Sequence, residues 1–325
     1  MILVTGAAGF IGSAFVWKLN ELGREDIIVT DKLRSEEKWL NLAKRKYYDW
    51  VDKDQLFEYL EENGDEITAI IHMGACSATT ERDGDFLMHN NYEYTKHLWN
   101  FAVKKNIDFI YASSAATYGD GAQGYFDELD LSGHEELRPL NKYGYSKKIF
   151  DVWALKQEKT PKKWIGLKFF NVYGPQEYHK ERMASMVFHA FNQYNAEKEI
   201  KLFKSHKEGY KDGFQLRDFI YIKDVVSIMN FFLNEDVQSG VYNVGTGKAD
   251  AFYNLAKATL ESMGGDTNAI KFVDMPEDLR GKYQYFTEAV MAKLIREGYK
   301  DKFYTLDEGV KDYIQNYLMK EDKYL

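Results

Sequence analysis

Apolar and polar positions along this chain follow two alternating periods. Short apolar runs recur at Ile2-Leu3-Val4-Thr5, Ile27-Ile28-Val29-Thr30, Ala69-Ile70-Ile71-His72, Phe109-Ile110-Tyr111-Ala112 and residues 165–169. Their length and β-branched content predict buried strands. Between them, residues 11–22, 55–62, 85–105 and the stretch from Tyr143 carry amphipathic helical spacing. A strand apolar on both sides must be covered on both sides, so this alternation predicts an α/β fold with a doubly wound parallel sheet of Rossmann type. Beyond about Val172 the rhythm loosens. Helices are predicted over 182–194, 225–233, 254–262, 287–297 and 306–317, with strands over 200–203, 217–222 and 241–244. The expected division is a dinucleotide-binding domain over 1–172, rejoined by segments near 215–240, and a smaller C-terminal α/β substrate-binding lobe over 173–325.

Composition narrows the function. The 325 residues include only four prolines and show no repeats, which predicts one rigid unit. A net charge of −8 argues against a general nucleic-acid binder. The single cysteine, Cys76, excludes an internal disulfide and a cysteine-pair metal site, and no metal is expected. No apolar run reaches membrane-spanning length and no basic, apolar leader stands before Ile2, so the expected compartment is the cytoplasm.

Gly6, Gly9 and Gly12 lie between the first strand and the first helix. Glycines there allow a tight turn, close approach to a pyrophosphate and helix–strand packing, while the helix N-terminus offers free N–H groups. Asp31 ends the second strand, where an acid would bind a ribose 2′-hydroxyl and favour NAD. Lys32, Arg34 and Lys38 crowd the same place and suit a 2′-phosphate, so the residues alone leave NAD and NADP open. Met73-Gly74-Ala75-Cys76-Ser77 follows the third predicted strand at the ligand-binding edge of the sheet. Tyr143 and Lys147 stand one helical turn apart on a single face. The ammonium is expected to lower the phenol pKa, so that Tyr143 takes a proton from an alcohol while a nicotinamide accepts hydride.

These glycines, Tyr111-Ala112-Ser113-Ser114-Ala115-Ala116-Thr117-Tyr118-Gly119 and Tyr143-x-x-x-Lys147 resemble the extended short-chain dehydrogenase/reductase superfamily. Within it the chain resembles the ADP-heptose 6-epimerases, through Asn90-Asn91-Tyr92, His179-Lys180, Met183-Ala184-Ser185, Arg217-Asp218-Phe219 and Gly281-x-Tyr283-Gln284. The resemblance implies epimerisation of ADP-D-glycero-D-manno-heptose for lipopolysaccharide inner-core synthesis, with tightly bound NADP and a homo-oligomer, a pentamer. It implies Tyr143 and Lys180 as two acid/base groups, Ser114 on the reacting oxygen and Lys147 on the nicotinamide ribose. Phe10, Ile11, Asp31, Lys32, Lys38, Lys53, Met73, Gly74, Ala75, Cys76, Ser77, Asn90 and Val172 would line the cofactor. Asn171, Arg182, His189, Phe203, Lys204, Ser205, His206, Arg217 and Tyr283 would hold the ADP-sugar. The rival readings are a UDP-hexose 4-epimerase and a noncatalytic NADP-sensing protein.

Overall fold

The structure, a computed structural model, describes residues 1–280 and 283–325; Gly281 of the Gly281-x-Tyr283-Gln284 motif lies outside the described residues. Twelve strands are described: β1 (Ile2–Thr5), β2 (Ile27–Asp31), β3 (Asp49–Asp52), β4 (Ala69–His72), β5 (Asp108–Ser114), β6 (Trp164–Phe169), β7 (Asn171–Tyr173), β8 (Ile200–Phe203), β9 (Leu216–Tyr221), β10 (Gly240–Val244), β11 (Ala249–Ala251) and β12 (Ile270–Val273). Seven of them form one parallel sheet in the order β3-β2-β1-β4-β5-β6-β10. Alternation within a strand explains the two covered faces. Ile2 and Val4 enter one apolar cluster with Phe15, Val29 and Ile110, whereas Leu3 enters a second with Ile28, Ile70 and Trp99. This is the Rossmann-type doubly wound architecture.

The chain leaves β1 toward β2 on one side and reaches β4 on the other, so a crevice opens at the carboxyl ends of β1 and β4. The later half builds a three-stranded sheet, β11-β9-β7, and a parallel pair, β12-β8. Helix Ile222–Asn234 then packs on helix Phe10–Glu21, and β10 joins the main sheet beside β6.

Several elements differ from the sequence expectation. Strand β3 reads as charged because it is an edge strand with only Val51 buried. Short strands β7, β11 and β12 and helix Leu131–Glu136 carry too few apolar positions to declare a period. The helix expected from residue 182 begins at Met186, capped by Ser185, because Glu181 adopts φ 47° and breaks the preceding turn. The helix expected over 287–297 shrinks to Ala292–Arg296. Residues 287, 289 and 290 donate their N–H groups to Leu216, Asp218 and Tyr125, which removes them from any helical ladder. The helical stretch near 85–105 runs through a six-residue π-turn, Met88–Glu93.

Candidate active site

The turn after β1 is built so that little but glycine fits. Gly6 sits at φ 63°, and a Cβ there would lie 2.6 Å from Gly74 Cα; a Cβ on Gly12 would overlap the Gly6 carbonyl. Helix Phe10–Glu21 starts at Gly9 with no side-chain cap, leaving first-turn N–H groups for an anion. This cradle fits a dinucleotide pyrophosphate.

Asp31 is buried and already engaged. Its Oδ2 accepts from Ala8 N at 2.9 Å, and its Oδ1 accepts from Lys32 N at 2.7 Å and from Lys38 Nζ at 2.9 Å. Lys32 pairs with Asp54 at 2.5 Å on the surface. Lys53 donates to Asn90 Oδ1 and lies 4.6 Å over the Tyr94 ring, and burial lowers its pKa. After β4, the backbone of Cys76 exchanges two hydrogen bonds with the Asn91 side chain, at 2.8 and 2.9 Å. Asn91 also donates to Ser146 Oγ at 3.1 Å, tying the Met73–Ser77 segment to the helix that carries Tyr143. Sequence reasoning chose Asn90 and passed over its neighbour. The π-turn supplies the reason, since a widened helix lets two consecutive residues face the crevice.

Helix Lys142–Leu155 begins at Asn141, whose side chain accepts from Gly144 N at 2.8 Å. A Cβ on Gly144 would stand 2.7 Å from Ala116 O, so this helix sits tightly against the turn that follows Ser114. The expected fall in the Tyr143 pKa does not occur in the protein alone. Burial pushes the phenol up, and a hydrogen bond with Ser114 pulls it partly back. The cation that was to lower it, Lys147, is itself buried and pushed down to about 8, with Asp151 opposing the fall. Burial is the largest influence on both groups and disfavours the charged form of each.

On the turn after β7, Lys180 lies 5.2 Å over the Phe10 ring, and burial lowers its pKa against the pull of Glu177. Neighbouring His179 is pushed down to about 4, chiefly by burial, and stays neutral near pH 7. Asn41 locks this turn to the glycine loop. Its Nδ2 lies 2.9 Å from Ala8 O, 3.0 Å from Gln176 O and 3.3 Å from His179 Nδ1. The Lys180 turn and the glycine loop are therefore tied together through one buried amide.

Arg217 is buried and has no carboxylate partner among the described residues; it donates to the carbonyls of Leu216 and Gln284 and lies 5.2 Å over the Tyr283 ring. Asp218 does not pair with it, being occupied by Thr246, Gly247 and Ala289. Arg217, Tyr283 and Gln284 meet Thr79, Ala116 and Asn141 around a cleft of about 220 Å³. Phe203 packs on Tyr283 at 6.3 Å, and the loop beyond it is pinned by Ser205 N to Asp212 Oδ1 at 2.8 Å and His206 N to Tyr285 Oη at 2.9 Å. Lys204 turns instead to Asp274, at 3.3 Å. Asn171 and Arg182 are exposed, and Val172 and His189 half-buried. A larger cleft, about 360 Å³ beside Leu33, Trp39, Tyr47 and Trp50, contains none of the residues that the sequence singled out.

The model of the NAD dependent epimerase/dehydratase family matches residues 2–245. A protein of Fusobacterium nucleatum named ADP-L-glycero-D-manno-heptose-6-epimerase is 63% identical over 100% of both chains. The crystal structure of Helicobacter pylori ADP-L-glycero-D-manno-heptose-6-epimerase is 30% identical, covers 97% of this chain and 95% of that one, and superposes with a TM-score of 0.80. Thermus thermophilus UDP-glucose 4-epimerase in complex with NAD shares the fold at 24% identity, with a TM-score of 0.77 over 96% and 97% of the two chains.

Proposed function

From the premise that this chain belongs to the NAD dependent epimerase/dehydratase family, we propose that it interconverts ADP-D-glycero-D-manno-heptose and ADP-L-glycero-D-manno-heptose. The observation that carries this reading is the 63% identity, without truncation on either side, to a protein of that named activity. The UDP-hexose 4-epimerase alternative has only a shared fold behind it at 24% identity. A noncatalytic sensor would have no use for a half-buried Tyr143 held by Ser114 and a buried Lys147 one turn along the same helix.

The inverted carbon lies outside the sugar ring and bears no acidic hydrogen, so inversion goes through a ketone. A nicotinamide dinucleotide, which the Gly6–Gly12 crevice would hold, would supply a reversible hydride acceptor. Tyr143 removes the hydroxyl proton while Ser114 orients the oxygen, and Lys147 holds the ribose. The planar ketone then presents its other face, and Lys180 donates a proton to its oxygen as the alcohol re-forms. Its lowered pKa suits a donor, because a less basic ammonium gives up its proton more readily. Arg217 holds the substrate diphosphate, with Tyr283 and the residues 203–206 beside the nucleotide. NADP is the preferred form: the Asp31 oxygens are already in use and the Lys38 cation faces them, which suits a 2′-phosphate better than a hydroxyl. From the family likeness we infer a homo-oligomer, a pentamer, that works in the cytoplasm. Among the described residues no helix is long and apolar enough to cross a membrane.

The test is proton NMR of ADP-D-glycero-D-manno-heptose with purified protein, no cofactor added, alongside Tyr143→Phe and Lys180→Met. Inversion with deuterium at the reacting carbon retained in product is expected, slowed about 100-fold or more in each folded variant. Unimpaired inversion in both variants, or label lost to water, refutes the mechanism.

A further inference from the structure

We propose that Asp151 is a positioning residue that keeps Lys147 charged and sets the pH range over which Lys147 and Tyr143 work, with Lys168 as its counter-charge. This rests on the roles given to Tyr143 and Lys147 above. Asp151 lies one helical turn beyond Lys147 and two beyond Tyr143, on the same stripe of helix Lys142–Leu155. It is 1% exposed and accepts from Tyr111 Oη at 2.9 Å and from Ser113 Oγ at 2.7 Å. Both donors are on β5, just before Ser114, so one carboxylate fastens the Tyr143 helix to the strand end that carries Ser114.

Lys168 on β6 is fully buried, 3.8 Å from Asp151 Oδ2, with no hydrogen-bond acceptor among the described residues and its ammonium 4.1 Å over the Tyr118 ring. Two well-packed apolar side chains would join helix to sheet at less cost than a buried ion pair. The pair's position beneath two titrating groups therefore points to charge as its use. The groups facing it are Tyr143 and Lys147 on its own helix, Tyr111 and Ser113 on β5, and Tyr118 on the turn after β5, while His72 and Cys76, from β4 and its loop, face Lys147, and Cys76 also Tyr143. Asp127, His134 and Lys293 stand behind Lys168.

A buried carboxylate favours the ammonium of Lys147 and disfavours the phenolate of Tyr143, which raises both pKa values. Removing its charge lowers both. Tyr143 then reaches its basic form at lower pH, and Lys147 loses its proton at lower pH. The bell-shaped pH profile of inversion moves bodily toward acid.

The experiment compares the wild type with Asp151→Asn, Asp151→Glu and the double variant Asp151→Asn/Lys168→Met. It records inversion against pH and, separately, the pH dependence of nicotinamide dinucleotide binding by fluorescence, which reads Lys147 without turnover. An acid-ward shift of about one pH unit is expected in Asp151→Asn, with the wild-type position restored in Asp151→Glu. If the single Asn variant does not fold, the double variant, which strands no cation, must show the shift. Profiles that only lose amplitude, without moving, overturn the proposal. Wild-type activity in Tyr143→Phe would instead overturn the mechanism above, leaving the binding curves to judge Asp151 alone.

Discussion

Replacing Asn41 by Leu tests whether the Lys180 turn and the glycine loop are locked together. Leu has the same branch at Cγ and nearly the same size, so the change deletes donors without opening a cavity. Asn41 is 2% exposed, and its amide serves Ala8 O at 2.9 Å and Gln176 O at 3.0 Å. Each orphaned buried acceptor costs about 1–3 kcal/mol, so the pair amounts to about 2–6 kcal/mol. Unfolding entropy near 2.1 cal/mol/K per residue gives about 0.7 kcal/mol/K for a chain of 325 residues. A loss of about 3 kcal/mol therefore lowers the Tm by roughly 4 °C. Catalysis should suffer more than stability, because Lys180 loses its registration on Phe10. A fall of about tenfold or more in kcat is expected, with a smaller change in KM. Differential scanning calorimetry and the NMR inversion assay read the two effects, with exposed Asn195→Leu as the control. A variant with wild-type Tm and kcat would refute the locking.

Gly12→Ala sets a methyl against the backbone carbonyl of Gly6, which cannot swing away as a side-chain tip could. It should cost about 1–3 kcal/mol and weaken dinucleotide binding in a fluorescence titration; unchanged affinity would argue against the crevice. Arg217→Gln removes a buried cation held only by carbonyls and ring faces. KM for the ADP-sugar should rise about tenfold or more with little loss of Tm, and an unchanged KM would detach Arg217 from the diphosphate. His134 is pushed from 6.5 to about 3, chiefly by burial, so between those values the unfolded chain binds a proton that the folded chain refuses. Its contribution to stability is lost as pH falls below 6.5. His134→Gln should therefore gain on the wild type by about 2 kcal/mol between pH 7.5 and 5 in urea denaturation. A constant gap between the two proteins would rule that out.

The legible parts of the fold were those in which local chemistry and global position agree. β1, β2, β4, β5 and β6 are buried on both faces, so each reads as a continuous apolar run. Gly6 and Gly12 are legible because no other side chain fits there. What escaped was set by partners distant in sequence. Thr287 to Val290 look helical until their N–H groups are claimed by β9 and Tyr125, and Asp49–Asp52 looks like a charged loop until it pairs with β2. Asn41 and Asn91 carry no pattern of their own; each matters through contacts made 33 or more, or 15 or more, residues away. Asp151 did leave a signal, an acid one turn beyond Lys147, but an acid at that spacing is ordinary on an exposed helix.

The one reversed expectation, the Tyr143 pKa, follows from the same distinction. Spacing on a helix shows that a phenol and an ammonium are neighbours, and in water the ammonium would win. Burial is a property of the whole fold, and here it is the largest influence on each group and disfavours the charged form of both. The protein alone thus rests with the phenol protonated and the lysine weakly held. A fixed positive charge at the crevice mouth would tip the phenol toward its basic form, and would leave the lysine dependent on a carboxylate to stay charged. That requirement is met on the next turn of the same helix, where Asp151 is clamped to β5 by Tyr111 and Ser113.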